Sequence, residues 1–266
     1  MGARSQGFIT PTTQSVNKVS LTKFKAELHV HTVLSPCADV EMIPPLIIQK
    51  ALDEKIDIIA ITDHNAIDNI PAVIEAAQGS GIKVLSGMEL QTREEIHSLC
   101  IFDTFEEVSA FFNAIKDSFT TLRNKPDFFG EQFVVDASGD FICREDRLLI
   151  SSSSLSLKSA WDQVTRHNGL LIPAHVNRTA FGLLPVLGFI PQDIPIEIIE
   201  ISKHITPEKA ISQYPGLSRY QLIQGGDAHL LEDIRGVNEI NVERRCISEI
   251  YKAFTNQDGR SSQISS

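Results

Sequence analysis

Six of the eight histidines lie at the edges of short apolar segments, two acidic residues follow such segments by two residues, and a third lies in the loop after the first segment. His29 and His31 are one residue apart at the end of the first apolar run, so both side chains point to one face of a strand. The other members of this set are Asp39, His64, Glu89, His97, His175, Asp227 and His229. Imidazoles and carboxylates can bind Zn²⁺, Mn²⁺ or Fe²⁺ without any cysteine. The pattern therefore predicts a metal site.

Seven short apolar runs alternate with amphipathic stretches along the chain. The runs span residues 24–30, 56–62, 83–87, 97–102, 170–174, 196–201 and 220–225. Most are continuously apolar, as expected of strands that helices cover on both faces. Repeated βα units indicate a parallel sheet and an α/β barrel, in which the carboxyl ends of the strands meet at one face. We expect the predicted ligands to converge there.

The intervening segments have helical patterns over residues 41–54, 68–78, 104–115, 156–166 and 244–254. Thr104 and Glu107 have the spacing of a capping box at the start of the third helix. Residues 119–150 interrupt the alternation with two strand-like runs around Asp-Ala-Ser-Gly-Asp, which predicts a hairpin insertion near the reactive face. We expect one domain over residues 24–255, with flexible segments at 1–23 and 256–266.

Composition limits the class of protein. The chain has 266 residues, 42% of them hydrophobic, which is ample for one large core. The net charge of −10 and the lack of a Lys/Arg run argue against long-range attraction for DNA or RNA. No apolar run approaches the roughly 20 residues of a membrane span, and the N-terminus lacks a secretory pattern. We expect a cytoplasmic protein whose four scattered cysteines are reduced core or turn residues.

Five segments resemble the PHP (polymerase and histidinol phosphatase) domain family. They are AELHVHTVLSPCAD, IDIIAITDHN, VLSGMELQTREEIHSLCIF, PAHVNR and GGDAH, and they cover residues 24–236 in the order of the family. The resemblance implies a distorted (β/α)₇ barrel that holds three divalent ions, which would be Zn, Mn or Fe. The family includes histidinol-phosphate phosphatases, nucleotide and oligonucleotide phosphoesterases, and domains attached to bacterial DNA polymerases.

The resemblance also implies how the ligands are shared among the ions. One ion would be bound by His29, His31, Glu89 and Asp227, and a second by bridging Glu89, His97 and His175. A third ion would take Asp39, His64 and His229. Asp39 lies eight residues after His31, further than in many small phosphoesterases of the family, and Glu41 is the alternative ligand.

Such a site implies hydrolysis of phosphate esters. Three divalent ions and three carboxylates leave a local charge of about +3, so an acidic protein can still bind a phosphate dianion. A bridging hydroxide would attack phosphorus in line. The leading hypothesis is a phosphoesterase with a small phosphorylated substrate. The alternatives are a nuclease or bisphosphate nucleotidase acting on short 5′-phosphorylated oligonucleotides, with Phe128, Phe129 and Phe181 as stacking candidates, and a regulatory metal-binding domain without turnover.

Substrate contacts are predicted beside the metals. Arg178 follows His175 by three residues, and its guanidinium fork suits phosphate. Arg93 is a second candidate. Lys203 and His204 follow a predicted strand, and His204 could protonate a leaving group. Together with the metal-site residue His229, Arg178 and His204 are the candidate catalytic residues.

Three further residues have non-catalytic interpretations. Asp63 precedes His64 and is expected to orient a ligand imidazole or to support the backbone turn. His167 lies at the C-terminal end of a helix, where a histidine side chain interacts favourably with the helix dipole. Trp161 is expected in the core.

Overall fold

The computed structural model describes residues 20–265, so most of the segment predicted at 1–23 lies outside the described residues. Eleven strands occur in the described range: β1 (Thr22–Val30), β2 (Ile58–Ile61), β3 (Lys83–Gln91), β4 (His97–Phe102), β5 (Phe133–Val135), β6 (Phe141–Arg144), β7 (Leu170–Pro173), β8 (Ile198–Ile201), β9 (Gln221–Gln224), β10 (Asn238–Val242) and β11 (Ser261–Ile264). The same range contains eight α-helices: α1 (Pro44–Asp53), α2 (Ile70–Ala76), α3 (Phe105–Ile115), α4 (Pro126–Phe129), α5 (Leu157–Arg166), α6 (Leu183–Leu187), α7 (Pro207–Gln213) and α8 (Ile247–Phe254).

A curled sheet organises these elements. Seven strands pair in the order β11-β10-β1-β2-β3-β4-β7, and β8 and β9 form a parallel pair. Val176, directly after β7, donates its N–H to the Glu200 carbonyl in β8 at 2.8 Å. On the other side, the Ala228 backbone after β9 bonds to His29 and His31 at 3.0 Å each. The two-stranded pair thus joins both sides of the sheet, which confirms the predicted barrel-like α/β fold.

The sheet is mixed, so the expectation of an all-parallel sheet is wrong. β1, β2 and β3 run parallel, whereas β4 runs antiparallel to both β3 and β7. The reason is the short link between β3 and β4, because a parallel crossover needs a dozen or more residues. The reversal places the start of β4 beside the end of β3, with Gln91 paired to His97. His97 therefore reaches the same face as residues at the ends of parallel strands.

The predicted helix starts are largely confirmed. Thr104 caps α3 through the Glu107 N–H, and the Glu107 carboxylate accepts the Thr104 N–H in return. Ser156 caps α5 in the same way through the Ser159 N–H. Trp161 on α5 is partly buried and packs against the main apolar cluster. No helix among residues 20–265 is long and apolar enough to span a bilayer.

The insertion at 119–150 is a hairpin, as predicted, with β5 antiparallel to β6. Buried asparagines attach it to the segment that follows β2. Asn69 donates to the Phe133 carbonyl and accepts from the Val135 N–H, and Asn65 donates to the Leu149 carbonyl at 2.8 Å. These bonds bring the insertion to the end of the barrel where β2 delivers His64.

Part of the segment predicted as a flexible tail is an edge strand. Residues 261–264 form β11, antiparallel to β10. The preceding Arg260 is almost fully buried and makes two hydrogen bonds of 3.0 Å to the Glu249 carboxylate on α8. A paired, bidentate contact of this kind holds the strand to the domain. The low apolar content of the tail gave no sign of it.

Glu27 in β1 fixes the long loop between β9 and β10. Its fully buried carboxylate accepts N–H groups from Gly226, Arg235 and Gly236 at 2.9–3.3 Å. A side chain at Gly226 would place its Cβ 2.1 Å from the Asp233 carbonyl oxygen. The loop can therefore close on Glu27 only with glycine at this position.

We expect Gly226→Ala to lower the free energy of unfolding by about 1–3 kcal/mol, because the methyl group must displace backbone in a packed loop. The matched control is Gly216→Ala, where a Cβ meets nothing within 4 Å. That change should alter stability by about 0.5 kcal/mol or less. Urea denaturation of both variants measures the difference, and equal stabilities would contradict the assigned role of Gly226.

Candidate metal centre

Eight of the nine predicted ligands converge at one end of the barrel. They come from the ends of β1, β2, β3 and β7, from the start of β4, and from the loop after β9. The eight are His29, His31, His64, Glu89, His97, His175, Asp227 and His229. Only Asp227 and His229 have appreciable exposure, because the others lie below the barrel rim.

Glu89 lies at the centre of this cluster and is completely buried. Five imidazole nitrogens surround its two carboxylate oxygens: His97 Nδ1 at 2.9 Å, His175 Nε2 at 3.1 Å and His29 Nε2 at 3.3 Å from Oε1, and His64 Nδ1 at 2.9 Å and His31 Nε2 at 3.5 Å from Oε2. A carboxylate with both oxygens approached in this way can bridge two cations. The resemblance to the family implies such a bridging role for Glu89.

Asp227 forms the second carboxylate of the cluster. Its Oδ1 lies 3.4 Å from His29 Nε2 and 3.5 Å from His31 Nε2. Its other oxygen accepts a 2.8 Å hydrogen bond from Arg178 Nη1. One oxygen therefore faces the imidazoles while the other is fixed by the guanidinium.

The donor atoms fit divalent cations. Three groups have ligand atoms within 4.8 Å of one another: His29, His31, Glu89 and Asp227; His64, Glu89 and His97; and His31, His64 and His229. Among residues 20–265, five buried atoms that face the centre of the cluster have no hydrogen-bond partner: His29 Nε2, His31 Nε2, Glu89 Oε2, His97 Nδ1 and Asp227 Oδ1. Buried polar atoms are rarely left unpaired without a functional reason. Lone pairs that point at a common space are what a metal ion requires.

Glu200 on β8 orients the His29 imidazole and holds the backbone of His175. Its carboxylate lies 3.0 Å from His29 Nδ1 and accepts the backbone N–H of His175 at 3.0 Å. A carboxylate that accepts Nδ1–H leaves Nε2 of His29 unprotonated and pointed at the cluster. Glu200 was not among the predicted site residues, although an acidic residue inside an apolar strand was a usable signal.

Asp63 orients His31 through a serine. Ser35 Oγ donates to Asp63 Oδ1 at 2.7 Å, so its lone pair accepts Nδ1–H of His31 at 2.9 Å. Asp63 also accepts the N–H and hydroxyl of Thr32 at 2.7 and 2.8 Å. Asp63 thus supports the His31 imidazole through Ser35, and not the imidazole of its sequence neighbour His64.

Two members of the cluster have strained backbones. His175 has φ 29° and Asp227 has φ 44°, backbone angles that residues other than glycine rarely adopt. Such strain is retained where surrounding contacts enforce it, often at functional sites.

The tautomer of His229 follows from its contact with Asp227. His229 Nδ1 lies 2.8 Å from the Asp227 carbonyl oxygen. Since a carbonyl only accepts, Nδ1 of His229 carries the proton and Nε2 has the free lone pair.

The electrostatics favour bound cations. Burial alone lowers the pKa of His29, but nearby carboxylates, Glu200 first among them, raise that pKa well above its ordinary value. The pKa of His31 falls well below its ordinary value, because burial is reinforced by two neighbouring imidazoles. Burial would raise the pKa values of Glu89 and Asp227, yet the surrounding histidines lower both. The carboxylates are ionised and attract positive charge into the cluster.

Asp39 is not brought into the cluster. Its carboxylate accepts the Glu41 N–H at 2.9 Å, and the alternative ligand Glu41 is exposed. The nearby side chain that does reach the histidines is Cys37, whose Sγ lies 3.1 Å from His229 Nε2. Burial raises the pKa of this thiol, but hydrogen bonds with His229 and His64 outweigh it and bring the pKa to about 6. From the sequence, Cys37 was predicted to be a reduced core or turn residue.

A cavity of about 700 Å³ opens above the cluster. Its wall includes Arg178, Lys203 and His204, as predicted for substrate contacts. Arg178 bonds Asp227, and Lys203 Nζ lies 2.6 Å from Asp233 Oδ1. His204 is exposed on the wall.

Other predicted residues lie elsewhere. Arg93 is outside the cavity wall, with an exposed side chain 3.6 Å from Glu94. His167 follows α5, and its Nδ1 lies 2.8 Å from the Gln163 carbonyl oxygen, which fits the helix-end role. Of the three phenylalanines considered for stacking, only Phe181 is in the wall, and it stacks on His97 with ring centroids 4.5 Å apart.

Known structures share this fold. The lesion-specific endonuclease Q of Pyrococcus furiosus aligns with a TM-score of 0.71 and 17% identity, over 91% of this chain and 58% of that one. Endonuclease Q in complex with a 27-mer duplex that has an abasic lesion at the active site gives a TM-score of 0.66 and 17% identity, over 90% and 58%. A two-domain protein from Bacteroides vulgatus, containing a predicted PHP-like metal-dependent phosphoesterase, gives 0.54 and 16%, over 99% and 70%.

These likenesses establish the fold, and this chain spans somewhat more than half the length of the endonuclease. Comparison with curated proteins gives no match. The family model of the PHP domain matches residues 27–170, which is more than half of the chain. The matched range contains His29, His31, His64, Glu89 and His97, while His175, Asp227 and His229 join them from beyond it in space. The chain belongs to the PHP domain family.

Proposed function

We propose that this protein is a metal-dependent phosphoesterase that hydrolyses small phosphorylated substrates. The observation that carries the proposal is the buried cluster of eight ligand side chains beneath a cavity whose wall includes Arg178. Divalent ions held by these side chains would acidify a bound water and neutralise phosphate oxygens. The chain itself supplies the orientation of the ligands, through Glu200 and Asp63, and the wall that receives the substrate.

The cluster offers three groups of donor atoms, and we propose one ion for each group. Two groups contain Glu89, which we propose as the bridge between a first ion at His29 and a second at His97. His175 Nε2 approaches the same Glu89 oxygen as His97 Nδ1, at 3.1 and 2.9 Å, which supports its place at the second ion. A third ion is proposed between the remaining imidazoles, His64 and His229.

Arg178 is proposed to have two functions. One terminal nitrogen bonds Asp227, and the side chain is otherwise partly exposed to the cavity. A guanidinium has five N–H donors, so donors remain for a phosphate oxygen. Binding there would place the phosphoryl group beside the carboxylate that holds the first ion.

A second candidate is hydrolysis at the end of an oligonucleotide. It is favoured by Phe181, which lies in the cavity wall with one face on His97 and could stack a base. The structural likeness to endonuclease Q, including its complex with duplex DNA, is consistent with this candidate. The two candidates differ in the size of the substrate, and not in the metal cluster.

We expect turnover of phosphate esters to require metal and the buried cluster. Chelation should abolish activity, and His29→Ala should lower kcat/KM by about 10²-fold or more, since even supporting residues of metal sites contribute 10–100-fold. The matched control is His167→Ala, because His167 contacts α5 instead. The assay uses metal-quantified protein with monoesters, diesters and short 5′-phosphorylated oligonucleotides.

The substrate panel separates the candidates. Faster turnover of monoesters supports the small-substrate proposal, whereas release of mononucleotides from the oligonucleotides supports the second candidate. If fully metallated protein turns over none of these esters, the proposed function is wrong.

Arg178→Ala should lower kcat/KM by about 10–100-fold, since a hydrogen bond to a charged group contributes about 1.5–3 kcal/mol. Arg178→Lys should recover part of the loss, because it keeps the charge without the fork. Arg93→Ala, outside the cavity wall, should behave as the native protein. The metal content of each variant is measured as well. It shows whether Arg178→Ala lowers kcat/KM only by releasing Asp227 and so weakening metal binding. An unchanged kcat/KM for Arg178→Ala would remove Arg178 from the substrate site.

His204 is the proposed proton donor to the leaving group. General acids contribute typically 10²–10⁴-fold, and only where the leaving group needs a proton. His204→Gln should therefore slow hydrolysis of an alkyl phosphate by about 10²-fold or more, and have little effect on a nitrophenyl phosphate. Equal losses on the two substrates would show that His204 acts in binding or structure instead.

A further inference from the structure

Cys37 occupies the place in the cluster that the sequence assigned to Asp39. Its Sγ lies 3.1 Å from Nε2 of His229, and Cys37, His64 and His229 line the same cavity. It lines the cavity directly above these two histidines. The thiol is free among the described residues, since none of the four cysteines forms a disulfide.

The backbone explains why Cys37, and not Asp39, reaches the histidines. The Ala38 N–H bonds to the Ser35 carbonyl at 2.9 Å, which folds the loop back after β1. The Asp39 N–H then bonds to the His229 carbonyl at 2.9 Å, so its backbone rather than its carboxylate contacts that loop. With the carboxylate of Asp39 engaged by Glu41, the sulfur is the group presented to the site.

An independent observation marks this place as a ligand site. His31 Nε2 is fully buried without a hydrogen-bond partner, and it belongs to the group of ligand atoms formed with His64 and His229. The His31 ring lies 4.2 Å from that of His229 and 4.5 Å from that of His64, centroid to centroid. Imidazoles bind a metal in their neutral form, so these three alone would give a divalent ion no anionic ligand. Cys37 is adjacent and can supply one.

We propose that Cys37 is a thiolate ligand of the third metal ion, together with His64 and His229, and that it makes this position selective for thiophilic ions such as Zn²⁺. The inference rests on the proposed metal-dependent function for the presence of the cluster. On binding, the thiol proton passes to solvent and a sulfur–metal bond forms, with no change in oxidation state. The thiolate has the charge of the carboxylate it replaces.

A thiolate ligand changes which metal ion the third site prefers, because sulfur is a softer ligand than oxygen. Thiolate favours Zn²⁺ and similar ions, whereas carboxylate, carbonyl and water oxygen suit Mg²⁺ and Mn²⁺. Nothing comparable applies to the first group, whose ligands are imidazole and carboxylate. The cluster would therefore contain one position that discriminates between metals more strongly than the others.

Cobalt spectroscopy on the full chain tests the proposal. Metal-free protein is titrated with Co²⁺, and the near-ultraviolet sulfur-to-cobalt charge-transfer band is recorded together with the bound metal. We expect the band in the native protein and its loss in Cys37→Ser, with bound cobalt reduced by one ion. Cys143→Ser is the matched control, because Cys143 is a free, exposed cysteine on β6, and Asp39→Asn is the second. Both should keep the band and the metal content.

A second variant keeps the test independent of the loss of a side chain. Cys37→Asp provides a carboxylate in place of the thiolate. The preference of the third metal site for Zn²⁺ over Mn²⁺ should then fall by about tenfold or more, a range typical of changes around metal ligands. Competition between the two ions, with metal analysis, measures this ratio. An unchanged ratio contradicts the proposal.

The outcomes separate this inference from the proposed function. A cysteine-dependent band in protein that hydrolyses no ester sustains the ligand and overturns the function. Hydrolysis by a cobalt-loaded protein without a band, or loss of an ion in Asp39→Asn but not in Cys37→Ser, overturns the ligand and leaves the function intact.

Discussion

The burial of Glu89 is the constraint on which the rest of the structure depends. A carboxylate with no exposure must be compensated by positive charge or by hydrogen bonds, since an isolated buried ion is very costly. Its surroundings provide imidazoles, which cannot all be protonated together, because His29 gains a raised pKa while that of His31 is depressed. Divalent cations resolve this conflict, since each can use a neutral nitrogen lone pair and a carboxylate oxygen at once.

Three other buried carboxylates support the cluster without entering it. Glu27 holds the loop that carries Asp227, through three backbone N–H groups. Asp63 holds the loop after β1, and Glu200 fixes the His29 imidazole on β1 and a backbone N–H just after β7. Each receives donors from a different segment, so the segments are aligned with one another before any ion binds. Such preorganisation lowers the conformational cost of assembling ligands from six parts of the chain.

The sequence predicted the members of the cluster where one strand determines the position. The His29–His31 pair follows from the alternation of side chains, and the ends of β2, β3 and β7 follow from barrel geometry. The hairpin of β3 and β4 was also within reach of sequence reasoning, because the stretch between the two predicted strands is too short for a crossover helix. The choice between Cys37 and Asp39 was not, since it depends on backbone hydrogen bonds to a loop some 190 residues away in sequence.

The charges around the cavity bear on the size of the proposed substrate. Lys203 in the wall is paired with Asp233, and Arg178 is paired with Asp227 of the cluster, so neither cationic side chain of the wall lacks an acidic partner. The protein as a whole has a net charge of −10. A long polyanion would experience this overall repulsion, whereas a small phosphate ester is bound within the roughly 10 Å over which the local charges of a metal cluster act at moderate salt. The electrostatics therefore favour a small ester or a short strand end over an extended duplex.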